Sequence, residues 1–415
     1  MESFSTFVDN KVLSEQKNTH MTHVEDQVLY GGVKGTRQAI AGLSSLLKML
    51  EGQHKGDVSV KWDGAPAIFA GTDPSDGKFF VAKKGIFNKN PKVYKTKADV
   101  DADTSGDLNK KMNAALRLLP AIGIKGVIQG DFLYGKDDIE KTKIEGETYT
   151  TFHPNTLVYA FPYESSAAKE IRDSEIGIVW HTTYSGDSFE NMSASYGVNV
   201  KKLKKSKKVW SQDAMLRDMG KKATMSPKET KQVRDQLSKC GKISQKISGS
   251  VLRELEAHPE LPQLIEQYNN TFVRKGEMLP DPKVHTVRLQ RWLNDKYKKE
   301  IDKRKTEKGK GVQREKMNMI LSFFSKKNTP SIIAMFELQR NLVMAKLTLI
   351  NKLSQLSGLK AFVRTNKGYR VTDQEGFVCI DKLGGNAVKL VDRMEFSYNN
   401  FSPEILKGWQ SAGRK

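Results

Sequence analysis

The sequence predicts an α+β protein in which a mostly antiparallel sheet domain is interrupted by a basic α-helical insertion. Three observations lead there. Short strand-like pieces bounded by Gly, Asp, Pro or Asn recur between Val58 and His181. From about Lys201 long charged segments with helical spacing take over, and strand texture returns after Gly358. The charge divides in the same way: residues 1–200 carry a net −3, residues 201–360 carry +21, and residues 361–415 carry +3.

In chain order, Gln38–Leu50 has apolar residues at helical spacing, and Glu51-Gly52 ends that helix. Strands are expected at Val58–Trp62, Ala67–Ala70, Lys78–Ala82, Gly126–Gln129 with Phe132–Tyr134, Thr156–Phe161 and Gly177–His181, with a helix over Asn109–Leu119. The helical block reads Pro227–Lys239, Val251–Ala257, Pro262–Asn269, Val287–Lys303, Val312–Phe324 and Ser331–Leu356. Thr329 caps the last of these, Pro330 fits its first turn and Gly358 ends it. Lys303–Lys310 reads as a mobile basic loop. Strands then follow at Ala361–Arg364, Tyr369–Val371, Gly376–Ile380 and Ala387–Val391. The expected division is residues 1–190 and 360–415 for the sheet domain and 191–359 for the insertion.

Composition excludes several classes. At 415 residues the chain can bury a sizeable core without disulfide or metal staples. The longest apolar runs, Ala39–Leu50 and Ile332–Leu356, are broken by polar residues every few positions, so no bilayer span is expected. Cys240 and Cys379 lie far apart without a CxxC or Cys/His pattern, and Met1–Asn18 has no basic start followed by an apolar stretch. A reducing, cytoplasmic location without structural zinc is the expectation. The concentrated positive charge calls for a polyanion, and nucleic acid is the expected partner, held through Lys201–Lys208 and Lys296–Lys310. For the lysine run alone, a solvated surface explains the pattern equally well. No membrane and no protein partner is predicted.

The most informative residues are Lys61-Trp62-Asp63-Gly64, at the end of a strand. A lysine that attacks phosphorus must be neutral part of the time, which neighbouring positive charge or desolvation provides. A glycine beside it lets a nucleotide approach the backbone. Four further groups stand in order: Lys83-Lys84-Gly85, Gly130-Asp131-Phe132-Leu133-Tyr134-Gly135, Val158-Tyr159-Ala160-Phe161, and Glu375-Gly376-Phe377-Val378 followed after 14 positions by Lys389-Leu390-Val391.

This ordered set resembles the covalent nucleotidyltransferase superfamily of ATP-dependent RNA and DNA ligases and mRNA capping enzymes. Lys61–Gly64 matches its KxDG motif I, and Lys83-Lys84-Gly85 the basic or polar residue before a glycine. Asp131 matches the acidic motif III, and Tyr159 or Phe161 the aromatic that stacks on the purine. Glu375-Gly376 matches motif IV and Lys389 motif V. The chain is also similar to uncharacterised ligase-like proteins of large tailed bacteriophages, in "GDFLYG" and "KLVDR" especially.

The resemblance implies an adenylyltransferase (ATP-grasp-like) domain that uses ATP and Mg²⁺ to join a 5′-phosphate to a 3′-hydroxyl through a lysyl-AMP intermediate. Lys61 would be the nucleophile, with Asp63 and Lys389 as its catalytic partners. Gly64, Lys83, Lys84, Asp131, Tyr159, Phe161 and Lys389 would hold the nucleotide, and Glu375 with Asp131 or Asp63 the metal. A capping-type guanylyltransferase and a non-catalytic nucleic-acid-binding protein on the same fold remain open. So does a rival motif IV at Ser174-Glu175-Ile176-Gly177, with Lys201–Lys205 as its motif V. The pattern departs from the family where Pro66 replaces the usual arginine and Val391 the second lysine of motif V. Too few residues follow motif V for a C-terminal OB domain, which tilts the expectation toward RNA ligases. His20 and His23 beside Glu25 and Asp26, and the single His153 and His181, are read as capping or packed residues, and Gly31-Gly32 and Gly384-Gly385 as turns.

Overall fold

A computed structural model describes residues 22–53, 57–216, 224–357, 359–380 and 387–408. The first strands are β1 (Asp57–Lys61), β2 (Ala67–Thr72), β3 (Phe79–Ala82), β4 (Val93–Tyr94), β5 (Val127–Gly135), β6 (Glu140–Ile144), β7 (Glu147–Phe152) and β8 (Leu157–Pro162). β9 (Ile176–Ser185), β10 (Ser193–Tyr196), β11 (Val209–Asp213) and β12 (Met215–Leu216) precede the helical region. β13 (Lys360–Thr365), β14 (Gly368–Thr372), β15 (Gly376–Ile380), β16 (Ala387–Leu390) and β17 (Ile405–Leu406) follow it. Helices α1 (Gln27–Tyr30), α2 (Gly32–Leu50), α3 (Lys97–Asp103), α4 (Gly106–Leu118) and α5 (Ser166–Asp173) lie among the early strands. α6 (Pro227–Ser244), α7 (Gly249–Ala257), α8 (Glu260–Val273), α9 (Pro282–Asp302), α10 (Glu307–Phe323) and α11 (Thr329–Ser357) form the helical region, and α12 (Arg393–Phe401) comes near the end.

The strands form three sheets, antiparallel except that β11 runs parallel to β9. One has the order β12-β1-β15-β16, the second β10-β9-β5-β2-β3-β4 with β11 also on β9, and the third β14-β13-β8-β7-β6 with β17 on β13. The α+β architecture with a helical region inside the sheet sequence agrees with the expectation. The division near residue 190 does not match, because β10–β12 still belong to the sheets and the helices begin at Pro227. The lysine run Lys201–Lys208 therefore sits between two strands, outside the helical region.

Packing explains why the chain closes in this way. One apolar core runs from Leu43, Leu46 and Leu50 of α2 through Val233 and Leu237 of α6 and Leu342 and Leu349 of α11 to Val58 of β1 and Phe377 of β15. The helices thus share a core with the sheet that carries Lys61. Gly130 lets β5 continue as one strand where two short ones were expected: a Cβ there would lie 2.3 Å from the Val179 carbonyl oxygen of β9. The hairpin β6–β7 escaped the sequence reading because Lys and Glu fill its exposed face. Its turn places both Glu145 (φ 50°) and Gly146 (φ 88°) in the left-handed region, as a tight hairpin requires. The basic loop expected over Lys303–Lys310 is shorter than that. Thr306 caps α10 by accepting from the Gly309 N–H at 3.1 Å, and Lys310 pairs with Glu307 at 3.0 Å. Gly358, expected to end the long helix, lies outside the described residues. Among the described residues no helix is long and apolar enough to cross a membrane.

Candidate functional site

β1 delivers Lys61 to the edge of a crevice, where it pairs in register with Gly376, the first residue of β15. Glu375 precedes that glycine, and Lys61 Nζ donates a hydrogen bond to Glu375 Oε1. On the next strand over, Lys389 of β16 stands opposite Val378. Three adjacent strands therefore bring Lys61 together with a carboxylate and a second lysine that follow it by more than 300 residues.

The loop after Lys61 is knitted onto β5. The Ala65 N–H donates to the Phe132 carbonyl at 2.9 Å, and the Phe132 N–H returns a bond to the Pro66 carbonyl at 3.0 Å. This sets Asp131 of β5 beside the Lys61 loop. A Cβ on Gly64 would lie 2.5 Å from the Asp131 Cβ and 3.1 Å from the Phe132 carbonyl oxygen. The bare Gly64 is therefore required by the protein's own strand.

Electrostatics separate these groups. Burial pushes the Glu375 carboxyl up to about 7, although the Lys61 charge pulls it the other way, and the charges of Asp63 and Asp131 add to the rise. Asp131 is likewise raised by burial to about 7, opposed by Lys61 and Lys84. Burial, then the Lys61 charge, holds the Lys389 ammonium below its ordinary range. Lys84, exposed at the start of the turn after β3, adds positive charge toward Asp131. Two carboxylates whose proton affinity is raised by burial thus face three lysines.

Several expected roles fall differently. Asp63, expected beside Lys61 as a catalytic partner or metal ligand, is engaged by the protein's own groups. Its carboxylate accepts from Asn155 Nδ2 (2.6 Å), the Thr156 N–H (2.6 Å) and the Leu157 N–H (2.9 Å), and so pins the start of β8. Tyr159 is fully buried, its ring lies 4.7 Å from that of Trp62, and its hydroxyl accepts from the Asp63 N–H at 2.6 Å. No face of Tyr159 is open to a purine, so it positions the Lys61 loop. Phe161 keeps partial exposure beside Phe152 and Trp210, with ring centroids 6.0 Å from each. Lys83 is bound elsewhere, pairing with Asp103 at 3.0 Å and lying over Tyr94.

The rival acid Glu175 stands apart from Lys61, paired with Arg117 at 2.7 Å and Lys208 at 3.0 Å. The structure gathers Glu375 and Lys389 instead. It also brings in a residue the sequence reading set aside as packed: His181 Nε2 lies 3.8 Å from Asp131 Oδ2, and its Nδ1 is 2.7 Å from Thr182 Oγ1. Burial and the Lys61 charge lower His181 to about 4, so it is neutral near pH 7. Only the β5–β9 register, which shifts between Gln129 and Gly130, aligns it with Asp131, and no local pattern carries that information.

His23, expected to cap a surface cluster, is half-buried and forms a parallel bridge with Lys389. Its neighbour Glu25 accepts from Lys346 Nζ of α11 at 2.8 Å, and Asp26 accepts from Arg393 at 2.7 Å. His20 and Gly384-Gly385 lie outside the described residues.

Could a divalent cation fit? Among the described residues no cluster of three or more metal-type side chains occurs. Glu375 and Asp131 would supply two hard oxygen donors, and burial disfavours their charged forms unless a cation compensates. That suits Mg²⁺, which keeps several waters and takes one or two carboxylates together with phosphate oxygens.

No curated protein and no solved structure matches the chain. A family model does, over residues 18–405, from before the first described residue to β17. The chain accordingly belongs to the family of unknown function DUF6267.

Proposed function

We propose that the protein is an ATP-dependent polynucleotide ligase, with RNA favoured over DNA, built on a nucleotidyltransferase domain. The observation that carries this reading is the Lys61–Glu375 contact across adjacent strands, with Lys389 on the third strand and Asp131 beside the loop. A nucleophilic lysine, an acid and a charge-neutralising lysine are what transfer of a nucleotidyl group to an amine requires.

In this reading Lys61 Nζ gives one proton to Glu375, whose affinity for a proton is raised to about 7. The free amine attacks the α-phosphorus of ATP. The N–P bond forms as the bond to the bridging oxygen breaks, pyrophosphate leaves, and the second amine proton passes to water. Lys389 and Lys84 neutralise charge gathering on the phosphate oxygens. A divalent cation would be held by Asp131 and, until it takes the Lys61 proton, by Glu375, and would screen the triphosphate. AMP then passes from Lys61 to a 5′-phosphate, and a 3′-hydroxyl displaces it to seal the strand. Lys201–Lys208 and the basic α9–α10 region, exposed from Asp302 to Lys308, would contact the backbone of the strand.

The test is incubation with α-labelled ATP or GTP and Mg²⁺, read by denaturing gel and intact mass beside Lys61→Ala. An AMP adduct absent from the variant supports the reading. A GMP adduct moves it to a capping-type reaction. No adduct with either, after pyrophosphate treatment to strip bound AMP, overturns it in favour of a nucleic-acid-binding protein without transfer chemistry.

A further inference from the structure

We propose that the outer face of α12 is a stacking platform for unpaired bases of single-stranded nucleic acid, with Tyr398 and Phe401 as its two rings. The proposal rests on the nucleic-acid-binding part of the reading above and not on its ligase chemistry.

The two rings lie three residues apart and so share one helix face. Phe401 is 65% exposed and Tyr398 37% exposed. Each is approached by a guanidinium from a different element. Arg370 of β14 lies 4.7 Å from the Tyr398 ring centroid, and Arg274, which caps the end of α8, lies 5.8 Å from that of Phe401. A cation over a ring is favourable electrostatically, and it places positive charge beside a surface that water solvates poorly. Isolated exposed aromatics are ordinary, but a pair with a guanidinium on each is what a strand of stacked bases and phosphates requires.

The platform is held rigidly. Arg370 Nη2 donates to Asn399 Oδ1 at 3.1 Å, Asn399 Nδ2 donates to Thr372 Oγ1 at 2.9 Å, and Thr156 Oγ1 donates to Asn400 Oδ1 at 3.0 Å. These bonds fix the inner face of α12 while the rings point outward. The same inner face lines a small crevice with Asp63 and Glu375, so the platform stands on the helix that backs the Lys61 site. One acidic group among the described residues bonds to it: the Tyr398 hydroxyl donates to Glu404 at 3.2 Å, at the ring edge and exposed to solvent. Unpaired bases are the occupant that matches. Their π faces are free, whereas a duplex buries its own, and their phosphates complement the two arginines.

The test uses the full chain and fluorescein-labelled single strands of about twelve nucleotides, within the span such surfaces cover, as oligo(U) and oligo(dT). A duplex and an abasic strand of equal length accompany them, and binding is read by anisotropy at fixed low salt. Loss of one stacked base by alanine substitution is worth roughly 5- to 150-fold. Y398A and F401A should each weaken single-strand binding on that scale and leave the abasic strand unchanged, whereas Y398F and F401W should bind as the parent does. Equal loss on the abasic strand, no loss at all, or no binding by the parent protein would overturn the proposal. Unchanged oligonucleotide binding would assign the rings to a protein contact instead. AMP-adduct formation is read in parallel without nucleic acid. Ring-dependent binding without an adduct keeps the platform and overturns the ligase reading, and an adduct with ring-independent binding does the reverse.

Discussion

Lys61 and Glu375 are 314 positions apart and share a hydrogen bond, because β1 and β15 are antiparallel neighbours whose register sets Lys61 opposite Gly376. A Cβ on Gly376 would fall 2.4 Å from the Leu390 carbonyl oxygen, so β16 also packs tightly against this corner. The acid that grips the lysine is thus fixed by backbone pairing on both sides.

From this contact follows a pH dependence. Glu375 and Asp131 both bind protons more tightly in the folded chain than an ordinary carboxylate, with values near 7. The folded state therefore holds more protons than the unfolded one between about pH 4 and 7, and stability falls as pH rises through that window. Glu375→Gln should flatten part of this slope and raise stability at pH 8 by on the order of 1–3 kcal/mol, measurable by denaturation at both pH values. The rate of adduct formation should rise through pH 7 in the parent and lose most of that rise in the variant. A parent rate that does not change across pH 7 would remove Glu375 as the proton acceptor.

Asp63 and Tyr159 should act on stability as much as on activity. Tyr159→Phe leaves the buried Asp63 N–H without its 2.6 Å partner, which costs about 1–3 kcal/mol. Asp63→Ala strips the acceptor from two backbone N–H groups and Asn155 and should cost more. Equal melting temperatures for parent and Tyr159→Phe would show that another acceptor replaces the hydroxyl.

Gly64→Ala tests whether the loop must touch β5. The added Cβ meets the Asp131 Cβ at 2.5 Å and the Phe132 carbonyl oxygen at 3.1 Å, and the β5 backbone holds both in place. The loop must shift, and a displacement of about 1 Å at a reacting group lowers rates by roughly a hundredfold. Adduct formation by Gly64→Ala at the parent rate would place Lys61 outside the reacting position.

The positions of the strands that carry Lys61 and follow Glu375 were legible in the sequence, because Val58–Lys61 and Gly376–Ile380 are short β-branched or aromatic runs bounded by Gly or Asp. The choice of Glu375 over Glu175 was legible as well, from a contiguous Glu-Gly. What stayed hidden depends on register or on distant partners. That Asp63 turns toward Asn155–Leu157, that Tyr159 is sealed by Trp62, and that His181 reaches Asp131 are all set by how separate strands pair. Lys83 and Lys84 are neighbours of like charge, and only the Asp103 carboxylate from α3 distinguishes them. The short helices α5 and α12 were also missed, because eight or nine residues give too few turns for a helical period to stand out.

The buried pair Lys346–Glu25 gives the last prediction. Both side chains are almost fully buried, and Lys346 Nζ donates to both carboxylate oxygens at 2.8 Å. The Lys346 charge draws Glu25 down to about 2 against the opposing effect of burial, with help from His23 and Arg393. Removing one partner leaves an uncompensated buried charge, so Lys346→Met should destabilise by about 3–5 kcal/mol. Replacing both, as Lys346→Met with Glu25→Leu, should recover most of that loss, because the desolvation cost of the pair disappears with its attraction. Glu25 adjoins the His23–Lys389 bridge, so the single variant should also weaken adduct formation more than its lost stability alone explains. A double-mutant cycle in urea, with adduct rates measured well below each midpoint, separates the two effects. Equal loss in the single and double variants would mean that the ion pair is dispensable and that packing of α11 against the Glu25 turn holds Lys389 in place.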